Sequence, residues 1–419
     1  MKRNYFIVGL ILLTFFVISF LTNIIGPLVP DIIESFNLSL TLVALLPFAF
    51  FIAYGVMSIP SGMLVERFGE KRIMVLAFLI SFLGALFFAS QPSYGLYIVS
   101  LFLIGTGMAM LQVAINPLLR VAGGEEHFAF NSVLGQLFFG LASFVSPLVY
   151  SYLVLNVAAN SEGGNFLINL FSGIVPEGLP WISLYWVFAA ISLLMVFVIG
   201  LVKFPTVELK EDEKVGALET HLDLLKKPMV ILYFFGIFAY VGTEQGVANW
   251  ISQFLQTYHD VDPQTTGAST VSLFWGLMTA GTVLGLILLK FVDSRKVLMG
   301  FTTAAMLTLL VSLLGTKQMA LIGFPMVGFF ASVMWSIIIS LALNSVASHH
   351  GSFSGILVTG IAGGAVVPLI VGWLGDLFGL KAGMFFLFLT LAYILSIGFW
   401  SKPLINNEII GSKKAKATS

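Results

Sequence analysis

The 419-residue sequence contains no cysteine, which excludes disulfides and thiolate metal sites and leaves the redox compartment unmarked. Charge is scarce as well: Asp, Glu, Lys and Arg make up 10% of the chain, against roughly 25% in an ordinary soluble domain. The formal net charge is zero, so nothing in the balance favours nucleic acid as a partner. There is no P-loop and no nucleophile elbow, so neither ATP-driven pumping nor hydrolytic catalysis has a footing, and the chain reads as a non-enzyme without a cofactor. The histidines His127, His221, His259, His349 and His350 fall in loops or at span ends without metal-like spacing, so no metal site is expected.

Hydrophobic residues, by contrast, form 58% of the chain, and the mean hydropathy is +1.01. Crossing the hydrocarbon core takes about 20 apolar residues, and such runs recur along the whole sequence. They predict spans over residues 5–29, 40–59, 73–89, 94–119, 130–155 and 181–202, then 229–255, 266–289, 297–314, 319–346, 353–377 and 382–400. The opening Met1-Lys2-Arg3 leads into an apolar run too long for a signal peptide and without a small-residue cleavage site, so it reads as the first span. The expected solvent is a lipid bilayer, and the expected fold is an all-α membrane protein with twelve transmembrane helices.

Between spans six and seven lies KFPTVELKEDEKVGALETHLDLLKKP, a solvated linker with a short amphipathic helix. With the N-terminus inside, every Lys and Arg falls on the inner side except Lys317 and Lys381, a bias that fixes orientation. Both termini are then expected in the cytoplasm of a multi-pass protein of the bacterial inner membrane. The expected organisation is a six-helix bundle over 1–203, a cytoplasmic linker over 204–228, a second six-helix bundle over 229–402 and a cytoplasmic tail over 403–419. Two parallel six-helix repeats around an axis normal to the membrane place a substrate cavity between them at mid-depth.

The loop after span two reads GMLVERFGEKR, from Gly62 to Arg72. It resembles the G-x-x-x-[DE]-R-x-G-x-[RK]-[RK] signature of the major facilitator superfamily, with Gly62, Glu66, Arg67, Gly69, Lys71 and Arg72 in the matching places. Positive-inside bias explains the basic residues but not the glycine spacing. The resemblance implies two pseudo-symmetric bundles and a gating role for Gly62, Glu66, Arg67, Gly69 and Arg72, with Glu66 facing the N-terminal dipole of span eleven near Phe353. After span eight the counterpart is reduced to KFVDSRK, Lys290 to Lys296, with Asp293 as its acid.

Span four contains GTGMAMLQVAINPLLRVAG and span seven FAYVGTEQGVANWI. Together with SIPSGMLVERFG in span two and GIAGGAVVPLIVGWLGD in span eleven, these are similar to the fucose/galactose/hexose (fucose-permease-like) branch of sugar transporters, particularly its glucose/galactose members. Gln112 and Asn116, four apart on one helix face, offer the donor and acceptor pairs that sugar hydroxyls need; the alternative is interhelical polar glue. Gln245, Asn249 and Gln253 stand at i, i+4 and i+8, so a continuous helix brings them into one stripe. Glu244 is the one carboxylate expected near mid-bilayer, where an acid normally faces an aqueous cavity or a partner. It is either the coupling group, also close to the substrate, or a permanently hydrogen-bonded structural acid.

Further candidates for the cavity are Asn23, Tyr54, Asn131, Gln136, Trp250, Trp275, Trp335 and Asn344, the aromatic ones because rings bind the apolar faces of sugars. Fucose-transporting members use an aspartate in span one and a glutamate in span four with proton movement; here those places hold Gly26 and Gln112, and neither titrates. Asp31, about five residues further along span one, reads as a helix-terminal acid. The function implied is a secondary transporter for a hexose or related sugar, moved as a monomer by alternating access, with H⁺ or Na⁺ co-transported or with no coupling. A drug or amphiphile exporter of the same superfamily and a solute sensor without transport are the alternatives.

Overall fold

A computed structural model of the chain describes residues 4–124, 127–159, 166–205, 218–346 and 350–404. Its candidate membrane spans run Tyr5–Phe36, Leu40–Phe68, Glu70–Ser90, Tyr94–Gly123, Phe130–Ala158, Pro180–Leu201, Pro228–Ala248, Pro263–Leu288, Ser294–Leu314, Lys317–Leu343, Gly351–Phe378 and Leu380–Trp400. Each coincides with a run predicted from the sequence, as expected where every backbone polar group must be satisfied within its own segment. The helix expected in the linker is Leu218–Leu225. Residues 206–217 of the linker and the tail beyond residue 404, with their lysines, lie outside the described residues. A helix over Phe166–Ile174, between spans five and six, was not foreseen.

Span one is broken. Helix Tyr5–Thr22 is capped by Asn23, and Ile25–Phe36 begins after Ile24. Span seven breaks likewise: Asn249 caps Pro228–Ala248, and after Trp250 the chain continues as Ile251–His259. Both halves therefore place an asparagine at the interruption of their first helix. The expected stripe through Gln245, Asn249 and Gln253 is interrupted at this break, and Gln253 Nε2 donates to Thr257 Oγ1 at 3.0 Å.

Small residues let backbones approach inside each half, as is usual between membrane helices. A Cβ on Gly105 of span four would lie 2.3 Å from the Phe50 carbonyl oxygen of span two. In the second half a Cβ on Gly328 of span ten would lie 2.4 Å from the Phe274 carbonyl oxygen of span eight. The same contact thus recurs with the two-bundle repeat. A cluster of Phe88, Tyr97, Trp181 and Tyr185 adds stiffness to the first half, with Tyr97 and Tyr185 hydroxyls 2.5 Å apart.

Tyr5 and the linker helix Leu218–Leu225 lie at one face of the bundle, the linker face. At the opposite face the halves are in contact. Gly26 of span one sits against span seven so closely that a Cβ there would lie 2.3 Å from the Ala248 carbonyl oxygen. Asp31 of span one accepts hydrogen bonds from Tyr150 (2.5 Å) and from Gln264 of the second half (3.0 Å). It is buried within Ile25–Phe36, where the sequence suggested a helix-terminal acid. Toward the linker face, Asn116, Gln136, Ser336 and Ser340 are exposed. Polar side chains at membrane depth belong in water, so water reaches these four on the linker-face side, while spans two and eleven stay in contact as far toward it as Gly55 and Thr359.

Candidate functional site

The interrupted helices position a chain of polar side chains from one half to the other. Tyr240 donates its hydroxyl proton to Glu244 Oε2, one helical turn away. Gln245 Nε2 donates to Glu244 Oε1 at 3.1 Å and to Asn23 Oδ1 of span one at 3.3 Å. Asn23 Nδ2 in turn donates to Ser143 Oγ of span five at 2.9 Å and to Ser19 Oγ at 3.4 Å, and those two hydroxyls are 2.6 Å apart. Glu244 is half-buried; Tyr240, Gln245, Asn23, Ser143 and Ser19 are buried. The Gln245 amide is thus shared between a carboxylate in its own helix and an amide across the interface. Ionised acceptors bind more strongly than neutral ones, so adding a proton to Glu244 shifts the balance of that sharing.

Asn249, at the break in span seven, is buried and its Nδ2 lacks a hydrogen-bond partner. Trp275 is likewise buried edge-on to Phe274, with Nε1 unpartnered. Unsatisfied buried donors are costly, and a ligand hydroxyl would satisfy either one only where a change of conformation exposes it. Trp250 is placed differently: its Nε1 donates to the Pro368 carbonyl at 3.3 Å and its ring packs beside Gly372, within the second half.

On span four, Gln112 is half-buried and Asn116 exposed, with Asn116 Nδ2 donating to the Gln112 carbonyl at 3.3 Å. Gln136 of span five is exposed. None of these three joins the Glu244 cluster. Asn344 caps the end of span ten, donating to Ser340 Oγ at 3.4 Å and accepting from the Leu404 amide at 2.7 Å, so it stands at the linker face rather than the centre. Tyr54 packs on Phe50 and Phe51, Asn131 sits against Gly123, and the Trp335 ring lies 6.0 Å from that of Tyr240.

Of the residues in this hydrogen-bonded cluster, sequence reasoning names Glu244, Gln245 and Asn23 but not Tyr240, Ser19 or Ser143. Tyr240 was within reach, since it stands four residues before the acid on the same helix face. A serine in a membrane helix commonly bonds its own preceding turn, as Ser143 also does to Phe139, so neither serine announces a partner in another span.

In the Gly62–Arg72 loop, Gly62 is buried and Gly69 adopts φ +81°, a turn conformation that suits glycine. Glu66, Arg67 and Arg72 are exposed, Arg67 lies 5.2 Å over the Phe68 ring, and Lys71 donates to the Gly200 carbonyl at 2.8 Å. After span eight, Asp293 caps its own helix and pairs with Arg295 at 3.2 Å. The guanidinium holds its carboxyl below the usual carboxylate range. Replacing Glu66 with Gln is expected to lower maximal transport about tenfold, the scale of a gating interaction, with substrate affinity within about twofold. Initial-rate uptake and equilibrium binding measured side by side check this; a loss of affinity alone overturns the gating role.

Comparison with known proteins places this geometry in a family. The Major Facilitator Superfamily model matches residues 11–368. A glucose/galactose transporter of Brucella abortus is 31% identical over 407 residues, covering 95% of this chain and 94% of that protein. The L-fucose-proton symporter of Escherichia coli is 26% identical over 401 residues, covering 90% and 89%. A bacterial homologue of the human lysosomal transporter Spinster, solved in an inward-facing, unoccupied conformation, superposes with a TM-score of 0.78 at 18% identity, covering 95% and 96% of the two chains. The chain is a membrane transporter and belongs to the major facilitator superfamily.

Proposed function

We propose that the protein carries a hexose or related sugar across the cytoplasmic membrane by alternating access, in symport with H⁺ or Na⁺. The observation that carries this reading is the hydrogen-bonded chain from Tyr240 and Glu244 through Gln245 to Asn23 and Ser143. It puts the one acid of the central site in the same network as amides suited to sugar hydroxyls, and the network crosses between the halves that must move. The relatives named as glucose/galactose and fucose-proton carriers support the same substrate class.

In this reading Gln245, Asn249 and Trp275 bind the sugar from the second half, and Gln112, Asn116 and Gln136 bind it from the first. Glu244 couples its movement to the cation. Residues 1–203 and 229–402 form the two moving units of a monomer, and the linker face is cytoplasmic, in keeping with its Lys and Arg excess.

Counterflow of a labelled sugar panel in proteoliposomes, repeated under a pH gradient and then a Na⁺ gradient, tests substrate and driving ion together. Hexoses should exchange and compete with one another, and one gradient should drive accumulation. Uptake of hydrophobic cations without any sugar exchange overturns the substrate class.

A further inference from the structure

The ten residues that run from the end of span eleven into the start of span twelve repeat the spacing of the gating loop. Gly62-Met-Leu-Val-Glu66-Arg-Phe-Gly69-Glu-Lys71 is matched by Gly372-Trp-Leu-Gly-Asp376-Leu-Phe-Gly379-Leu-Lys381. Glycine, leucine, acid, phenylalanine, glycine and lysine coincide throughout. The turn is the same too: Gly69 has φ +81° and ψ 154°, Gly379 φ +89° and ψ 149°. The first copy lies at the linker face and the second at the opposite face, as expected if three-helix units repeat in inverted orientation within each half.

The second copy is engaged across the interface. Asp376 Oδ1 accepts from the Leu40 amide at 2.8 Å, and Oδ2 accepts from the Thr41 amide at 2.9 Å and the Thr41 hydroxyl at 2.5 Å. Leu40 and Thr41 begin span two in the other half, where helix N–H groups lack intrahelical partners and the helix dipole favours an anion. Gly372 makes the approach possible, since a Cβ there would lie 2.6 Å from the Leu40 carbonyl oxygen. Tyr258 fastens the turn: its hydroxyl accepts from the Lys381 amide at 3.0 Å, and the Lys381 ammonium lies 4.8 Å from its ring centre.

We infer that Gly372–Lys381 is a second gating motif, and that Asp376 is the positioning residue that holds the opposite face shut while the site is open to the linker face. Spans two and eleven then form a reciprocal pair. The acid ending span eleven caps the start of span two, and the family resemblance gives Glu66, ending span two, the start of span eleven. Each contact belongs to one orientation of the carrier, so weakening one shifts the population toward the other. The loop after span eight, although the closer repeat in chain order, cannot serve this way because Asp293 is occupied by Arg295 and its own helix.

This rests on the alternating-access reading and on the opposite face being periplasmic. The absence of native cysteine allows a single introduced thiol as reporter. Val29, buried and three residues after Gly26 on the same helix face, and Ala44, beside Gly372, are suitable positions. In cells carrying Val29→Cys or Ala44→Cys, Asp376→Ala should raise labelling by a membrane-impermeant maleimide added outside about fivefold, a typical cap-and-dipole effect. Asp376→Asn should raise it less, Asp376→Glu should restore the parental rate, and Glu66→Gln should lower it. Labelling after denaturation confirms equal amounts of each protein. Unchanged labelling in Asp376→Ala, or a shift of the same sign in Asp376→Ala and Glu66→Gln, overturns the inference. The assay needs no substrate, so it stands or falls apart from the sugar assignment.

Discussion

Glu244→Gln should reduce sugar accumulation in energised vesicles to a ratio of about one, while counterflow of the same sugar continues. A glutamine occupies nearly the same volume and its carbonyl can still accept from Tyr240, but its amide nitrogen, a donor, replaces the oxygen that accepts from Gln245. What it loses is the ability to exist in two charge states. A carrier whose two orientations do not differ in ion binding has no coupling free energy to spend on a gradient. The hydrogen bonds make the route concrete: Gln245 divides its donors between Glu244 Oε1 and Asn23 Oδ1, so the charge on the acid sets how firmly span seven holds span one. Accumulation measured under the driving gradient, beside counterflow without one, separates coupling from exchange. Undiminished accumulation would remove Glu244 from the coupling role and leave it a structural acid.

The second large effect is expected at Gly26. A Cβ at this position would lie 2.3 Å from the Ala248 carbonyl oxygen and 3.1 Å from the carbonyl carbon, and backbone atoms cannot swing aside. Overpacking costs about 1–3 kcal/mol. Here it penalises only the arrangement in which spans one and seven touch, which amounts to a roughly five- to 150-fold shift in that equilibrium. Gly26→Val should therefore cut uptake to a few per cent of the parent, by roughly the same factor, and raise outside labelling of Ala44→Cys. Gly26→Asp is the more pointed substitution, since this is the place where the resemblance puts the fucose carriers' aspartate. In this chain it should block transport in the same way instead of creating a proton site. Retained uptake in either variant would mean that the contact between Gly26 and Ala248 is not part of the cycle.

Much of this was legible in the sequence. Hydrophobic run length fixed twelve spans because a bilayer accepts few alternatives, and Glu244 stood out because a carboxylate in that setting needs a reason. The broken helices were not legible. Apolar residues continue through Asn23 and Asn249, so hydrophobic patterning runs on where the backbone does not, and the predicted stripe from Gln245 to Gln253 failed for that reason. Ser143 and Ser19 carry no local mark, because their meaning lies in an amide on another segment. Asp31 was legible only as a helix-terminal acid, and Asp376 only as the last residue of GIAGGAVVPLIVGWLGD. Their partners, Gln264 and the first amides of span two, lie more than 200 residues away along the chain. Gly26 gave the opposite lesson: the sequence presented it as a missing acid, and the packing against Ala248 leaves no room for a side chain in this arrangement.

The ring of Trp335 lies 6.0 Å from that of Tyr240, whose hydroxyl is bound to Glu244. Trp181, by contrast, is sealed among Phe88, Tyr97 and Tyr185 within one half. With the other five of its seven tryptophans replaced, the protein would carry one indole close to the acid proposed to couple the ion, whose emission should follow the charge there, and one insulated from it as an internal standard.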